Sequence, residues 1–251
     1  MLTDEELLRY SRQVLLAQVD VAGQLKLKAS RVLVVGLGGL GSPVALYLAA
    51  AGVGELHLAD FDRVDLTNLQ RQVLHDTTTV GLLKVDSAAG RLQAINPDIA
   101  LVRHSHALDA HSLGNVVAAV DLVLDCSDNF TTREAVNAAC FAAGKPLVSG
   151  AAIRLEGQLS VFDPRQAHSP CYHCLYGQGS EAELSCSEAG VLGPVVGLVG
   201  SLQALEALKV LAGFGEPLVG RLLLIDAASA RFRELRLKRD PHCPVCQVRL
   251  G

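Results

Sequence analysis

The chain has 251 residues, half of them apolar, and a formal net charge of −4. It is long enough to bury a substantial core, and it lacks the positive balance that would draw it to nucleic acid or an anionic membrane. Asp4, Glu5 and Glu6 stand where a secretory signal needs basic residues ahead of an apolar run, and seven cysteines without an export signal suit a reducing compartment. A cytoplasmic location is expected, with cysteines that hold metal rather than disulfides.

In chain order, Thr3 followed by Glu6 reads as a capping box that opens a short helix. It begins an N-terminal helical arm over 1–30, which carries Arg9-Tyr10-Ser11-Arg12-Gln13. Residues 31–37 form a continuous β-branched apolar run of the kind buried on both faces of a sheet, and the pattern turns helical from 38 to 51. Further strand-like runs at 55–61, 99–104, 122–127 and 146–151 alternate with helical patterns over 80–95, 110–120 and 131–143. This alternation predicts an α/β, doubly wound, Rossmann-like and mostly parallel sheet.

Beyond about residue 152 the rhythm changes to a run at 157–163, a loop rich in Cys and Gly, an apolar helix over 190–213, and strands at 221–226 and 232–237 that extend the same sheet. The 190–213 run is long enough to cross a bilayer, but Gln203, Glu206 and Lys209 interrupt it. A buried or subunit-interface helix is expected, with Pro194 in its first turn. No repeat or linker divides the chain, so one domain over 1–251 is expected.

The motif Gly36-x-Gly38-x-x-Gly41 lies between the first strand and the first long helix, where glycines allow a tight turn and the helix N-terminus attracts phosphate. Asp60 ends the next strand, in the place of a ribose-binding acid. A nicotinamide dehydrogenase would then need a hydride-handling site, but the eight histidines show no motif spacing. Instead Asn68, Gln70, Arg71 and Lys84 supply donors suited to a triphosphate, against the plainer reading of a solvated loop and an exposed lysine. Asp125 and Asp128, with Asn129, fall at the carboxyl end of a strand, where either acid suits Mg²⁺ held against phosphates and Asn129 or Asp128 suits a helix cap. Cys171-x-x-Cys174 and Cys243-x-x-Cys246 predict a closed four-sulfur Zn²⁺ site, with two redox-active or accidental pairs as the alternative. His173 and His242 are surplus to four sulfurs, and Cys126 and Cys140 read as small core residues.

Taken jointly, the turn at Gly36–Gly41, Asp60-Phe61-Asp62, Asn68-Leu69-Gln70-Arg71-Gln72, Lys84, Cys126-Ser127-Asp128-Asn129 and the paired CxxC motifs resemble the MoeB/ThiF family of adenylyltransferases, to which the adenylation domains of ubiquitin-activating enzymes are similar. The likeness runs from about Leu7 to Cys246 and is nearest to the molybdopterin-synthase branch, extending through the Gly150–Gly157 strand turn. It implies that ATP activates the C-terminal glycine carboxylate of a ubiquitin-like sulfur-carrier protein ending in Gly-Gly, as an acyl-adenylate with release of pyrophosphate, for molybdenum cofactor synthesis. The thiamine sulfur carrier is the alternative substrate, and an oxidoreductase or a non-catalytic binding module are the other readings.

The resemblance implies nucleotide contacts at Gly36, Gly38, Gly39, Gly41, Asp60, Asp62, Thr67, Asn68, Leu69, Gln70, Arg71, Lys84, Asp128 and Asn129. Asp128 would hold Mg²⁺ and be essential. In a homodimer, Arg12 would reach the neighbour's phosphates, with Arg9 as its competitor for that role. Cys186 occupies the region where some relatives carry a reactive cysteine, while the molybdopterin branch is expected to take sulfur from a separate donor.

Overall fold

The computed structural model describes residues 1–177 and 190–247. Eight strands form one sheet in the order β3-β2-β1-β4-β5-β6-β7-β8. The parallel part comprises β1 (Arg31–Val35), β2 (Glu55–Ala59), β3 (Ala100–His104), β4 (Leu122–Asp125) and β5 (Leu147–Ile153). β6 (Glu156–Phe162), β7 (Arg221–Asp226) and β8 (Arg231–Arg236) continue it antiparallel. The expected mostly parallel sheet with its C-terminal extension is therefore present.

Side-chain alternation along β1 builds a core on each face of the sheet. Val32 and Val34 enter a cluster with Leu48, Leu56, Leu92 and Val199, while Leu33 and Val35 enter the opposite cluster with Val117, Val136, Phe141 and Phe162. The helices packed on these faces are α4 (Gly41–Ala51), α5 (Lys84–Ile95), α6 (Ala110–Ala119) and α7 (Phe130–Ala143). The arm supplies α1 (Asp4–Arg9), α2 (Ser11–Val14) and α3 (Asp20–Ala29), and the capping box is formed: Glu6 N donates to Thr3 Oγ1 and Thr3 N to Glu6 Oε2. α8 (Tyr172–Tyr176) carries the first cysteine pair, and α9 (Gly193–Ala212) is the long apolar helix, packed against α3, α4, β5 and β6.

Three helix starts differ from expectation, among them the apolar helix, which opens at Gly193 rather than at 190. The first long helix begins at Gly41 rather than Gly38, because Gly38–Leu40 remain in the turn. Helix α5 begins at Lys84 rather than near Val80. Gly81 takes φ +88, and residues 81–84 pair backbone to backbone with 62–64: Val64 N donates to Leu82 O, Gly81 N to Val64 O and Lys84 N to Asp62 O. This pairing sets Lys84 at the start of a helix directly beside Asp62.

Candidate nucleotide site and cysteine knuckle

The turn after β1 depends on two glycines. Gly36 has φ +89, and a Cβ there would lie 2.8 Å from the Cys126 carbonyl oxygen; a Cβ on Gly41 would lie 1.9 Å from the Gly36 carbonyl oxygen. Both positions exclude a side chain by contact with backbone. Asp60, at the end of β2, accepts from Leu37 N at 2.8 Å and from Asp62 N at 2.9 Å, which ties the turn to the second strand. Burial pushes the Asp60 carboxyl up, against the pull of Lys84, whose ammonium lies 3.9 Å away. The same ammonium bonds Asp62 at 2.8 Å.

A cleft of about 320 Å³ opens over the carboxyl ends of these strands, the edge where doubly wound sheets bind ligands. It brings together Gly36, Gly38, Gly39, Asp60, Asp62, Arg71, Lys84, Asp128 and Asn129. Its apolar part, with Phe61, Ala107, Leu108 and Leu113, suits a flat base, and its cations suit polyphosphate. Gly41 is buried beneath the turn and does not line the cleft.

Thr67, Asn68, Leu69 and Gln70 do not line the cleft either. They belong to a short 3₁₀ turn, Leu66–Asn68, capped by Asp65 and followed by Leu69 and Gln70, and Asn68 Oδ1 accepts from Arg71 Nη2 at 2.8 Å. Asn68 thus aims Arg71 in this structure instead of meeting the cleft itself. Arg12 is exposed on α2, away from the cleft of its own chain, and Arg9 bonds the Ile95 carbonyl and Asp98. Cys186 lies outside the described residues.

The two acids differ in burial. Asp125 is 0 % exposed and spends Oδ1 on Ser127 N and Oγ, whereas Asp128 is exposed and lines the cleft. Asn129 both lines the cleft and caps α7, accepting from Thr132 N at 2.9 Å. Gln72 and Ser127 stand within the quoted motifs without a role of their own, and His75 and Arg133 lie outside them. Gln72 is buried and lines the cleft, and its Oε1 has no partner. His75 bridges the Leu37 carbonyl at 3.0 Å and Ser87 Oγ at 2.8 Å. A carbonyl only accepts, so Nε2 carries the proton and Nδ1 accepts from Ser87. Burial pushes the His75 pKa down.

The four cysteine sulfurs all lie within 4.8 Å of one another, with Cys171–Cys174 at 3.8 Å, Cys171–Cys243 at 3.5 Å and Cys174–Cys246 at 3.4 Å. A tetrahedron with Zn–S bonds of about 2.3 Å has edges of about 3.8 Å. The separations therefore fit a zinc ion and are too long for disulfides. Asp240 N also points at Cys174 Sγ at 3.5 Å, a donor suited to a thiolate. Four sulfurs close the coordination sphere, so the donor set is that of a structural metal. Among the described residues this is the one grouping of three or more His, Cys, Asp or Glu side chains with metal-binding geometry. His173 turns instead to Glu134 at 3.1 Å. Cys126 and Cys140 are buried, their thiols pushed up by desolvation.

A mostly parallel sheet with a glycine turn, a ribose-type acid, the cations Arg71, Lys84 and Arg133, and an exposed carboxylate in one cleft defines a nucleotide-binding α/β protein equipped for polyphosphate. The chain belongs to the ThiF family, which is matched over residues 10–245. It is 54% identical over 245 residues to a molybdopterin-synthase adenylyltransferase of Escherichia coli (strain K12), covering 98% of each chain. It is 48% identical over 245 residues to the sulfur carrier protein ThiS adenylyltransferase of the same organism, covering 98% of this chain and 97% of that one. Among solved structures, E. coli MccB with ATP superposes with a TM-score of 0.84 at 27% identity, covering 95% of this chain and 74% of that one.

Proposed function

We propose that the chain is an ATP-dependent adenylyltransferase, one adenylation domain over its whole length, that activates the C-terminal glycine carboxylate of a ubiquitin-like sulfur carrier, the small subunit of molybdopterin synthase. The observation that carries this reading is the convergence of Asp60, Arg71, Lys84 and Asp128 on the cleft above the glycine turn. The 54% identity to a molybdopterin-synthase adenylyltransferase supports the choice of carrier.

A carboxylate is a poor electrophile, and a mixed anhydride with AMP gives it a good leaving group. One carboxylate oxygen attacks the α-phosphorus, a new P–O bond forms, the bond to the bridging oxygen of the β-phosphate breaks, and pyrophosphate leaves with that electron pair. The obstacle is the approach of one anion to another, so cations must screen it. Arg71 holds phosphate in a fork braced by Asn68. Lys84, which bonds Asp62, turns its donors to the phosphate oxygens of ATP. Asp60 accepts from ribose hydroxyls, and the backbone of the glycine turn meets the phosphates.

Asp128 and ATP oxygens would hold Mg²⁺, which supplies charge neutralisation on the phosphates. Cys171, Cys174, Cys243 and Cys246 would hold Zn²⁺, which clamps the C-terminal tail to the knuckle and takes no part in the chemistry. Arg12, exposed on the arm, would serve the neighbour's phosphates in a homodimer. The sulfur donor is a separate protein, and the compartment is the cytoplasm.

The test is ATP–pyrophosphate exchange with the molybdopterin and thiamine carriers, each intact and lacking its terminal glycine. Exchange with the intact molybdopterin carrier alone is expected. Exchange confined to the thiamine carrier would transfer the chain to that branch, and tight NADH binding without ATP binding would overturn adenylation altogether.

A further inference from the structure

The glycine turn, Arg71 and Lys84 sit on three stretches of chain that are separate in sequence: the turn after β1, the segment 66–75, and the first turn of α5. One buried side chain joins all three. His75 ends the Arg71 segment, where its N–H donates to the Gln72 carbonyl at 3.1 Å. Its Nε2–H donates to the Leu37 carbonyl inside the turn at 3.0 Å, and its Nδ1 accepts from Ser87 Oγ at 2.8 Å. Ser87 lies about one helical turn beyond Lys84, on the same side of α5. His75 does not itself line the cleft.

Leu37 depends on that imidazole. Gly36 is at φ +89 and α4 begins only at Gly41, so Leu37 belongs to neither strand nor helix. Side chains take both of its backbone groups: Asp60 Oδ2 accepts from its N–H at 2.8 Å, and His75 donates to its buried carbonyl. A buried carbonyl left unmet is costly, which makes this contact hard to give up. Asp60 in turn lies 3.9 Å from the Lys84 ammonium. The contacts therefore close on themselves, from Leu37 through Asp60, Lys84, Ser87 and His75 back to Leu37. A neutral imidazole has one donor and one acceptor on a single rigid ring, which matches one carbonyl and one hydroxyl.

We propose that His75 is a positioning residue: it sets the spacing of the glycine turn from Arg71 and Lys84, and so governs how tightly the site grips a nucleotide's phosphates without touching the nucleotide. The base end of the cleft, with Phe61, Leu108 and Leu113, lies on other stretches of chain, and Asp60 keeps a second anchor on Asp62 N at 2.9 Å. Loss of the His75 contacts should therefore weaken the hold on phosphates and spare the hold on adenosine. The inference deepens the adenylation reading, and its catalytic side rests on that reading.

The test measures Kd for ATP and for adenosine by calorimetry in the full chain carrying His75→Gln, His75→Leu, Ser87→Ala, or His75→Gln with Ser87→Ala. A glutamine amide reaches the place of Nε2 and keeps a donor for Leu37 while giving Ser87 nothing; leucine fills the space and bonds neither. For one lost neutral hydrogen bond, Kd for ATP should rise about fivefold in His75→Gln and in Ser87→Ala, and about 20-fold in His75→Leu, where two are lost. The double variant should match His75→Gln within about twofold, because the two changes remove the same bond. Kd for adenosine should stay within about twofold throughout. In pyrophosphate exchange, kcat/KM for ATP should fall by at least the factors seen in Kd.

Unchanged ATP binding with only a lowered Tm would overturn the proposal and leave His75 as a support of the fold. Equal losses for ATP and adenosine would also overturn it, because the site would then be disturbed as a whole. So would additive effects of His75→Gln and Ser87→Ala, which would mean that the two share no bond. Should His75→Leu fail to fold, the other three variants decide by the same readings. Weakening confined to ATP in a protein that never exchanges pyrophosphate would uphold the role of His75 and defeat the adenylation reading.

Discussion

Replacing Lys84 by Met separates what this lysine does for the fold from what it does for the reaction. Its side chain is 7 % exposed, and its ammonium lies 3.9 Å from the buried Asp60 carboxylate and 2.8 Å from Asp62, which is 55 % exposed. At an effective dielectric near 20, a pair 3.9 Å apart gains about 4 kcal/mol of gross attraction. Desolvating the two ions costs several kcal/mol in return, and Asp62 regains water when the lysine goes, so the net stability loss should be only about 1 kcal/mol. Catalysis should respond very differently. A preorganised cation facing charge that develops on the phosphates is worth about 3 to 4 kcal/mol, which corresponds to about 10²- to 10³-fold in pyrophosphate exchange. Without its cation Asp60 is pushed further up, so ATP binding should begin to fail at a higher pH as acid is added, since the ribose hydroxyls need an ionised acceptor. The assay is ATP–pyrophosphate exchange alongside a thermal melt. Exchange within about tenfold of the unaltered protein, with the melt unchanged, would refute the argument and leave Lys84 as a structural partner of Asp62.

Three further outcomes are expected. Asp128→Ala should abolish pyrophosphate exchange while moving stability by no more than about 0.5 kcal/mol, because the side chain is exposed; Asp125→Ala should cost about 3 kcal/mol by stripping Ser127 and leaving Arg133 uncompensated, as read by denaturant unfolding. Metal analysis should find zinc, and Cys243→Ser should lose it and lower Tm by roughly 10 to 20 °C, taking about 5 kcal/mol for the metal contribution. His75 has a depressed folded pKa, so the folded chain binds fewer protons than the unfolded one; its contribution is complete above the unfolded value of about 6.5 and is lost as pH falls below it. His75→Gln should therefore flatten the fall in Tm below that pH, and an unchanged slope would assign the acid sensitivity elsewhere.

The legible parts of the site were those set locally. Gly36, Asp60 and Asp128 each fall at the carboxyl end of a strand, so the pattern that predicts the strands also places them on one edge. The two CxxC pairs were legible through chemistry, although 72 residues separate Cys171 from Cys243. What escaped depends on tertiary contact. The start of α5 was misplaced because the pairing of 81–84 with 62–64 overrides the helical periodicity of Val80–Leu83. Thr67, Asn68 and Gln70 are polyphosphate-binding residue types, yet the turn capped by Asp65 keeps them from the cleft, which Arg71 and Gln72 reach. His75 acquires its meaning from Leu37, far along the chain, so no spacing could mark it, and Gln72, though inside a motif, shows its place only through burial at the cleft.

Helix α9 touches three parts of the site in succession. A Cβ on Gly193 would lie 2.5 Å from the Gln70 carbonyl oxygen, Val196 packs under Gly39, and Gln203 Nε2 donates to the Asp125 carbonyl at 2.8 Å. The phosphate loop, the glycine turn and the acid-bearing loop are thus referenced to a single rigid rod. Three loops mounted independently would drift relative to one another and smear the spacing between Arg71 and Asp128. On a common mount that spacing is inherited from the helix, and an error introduced at any point along it would reach nucleotide binding and carboxylate activation together.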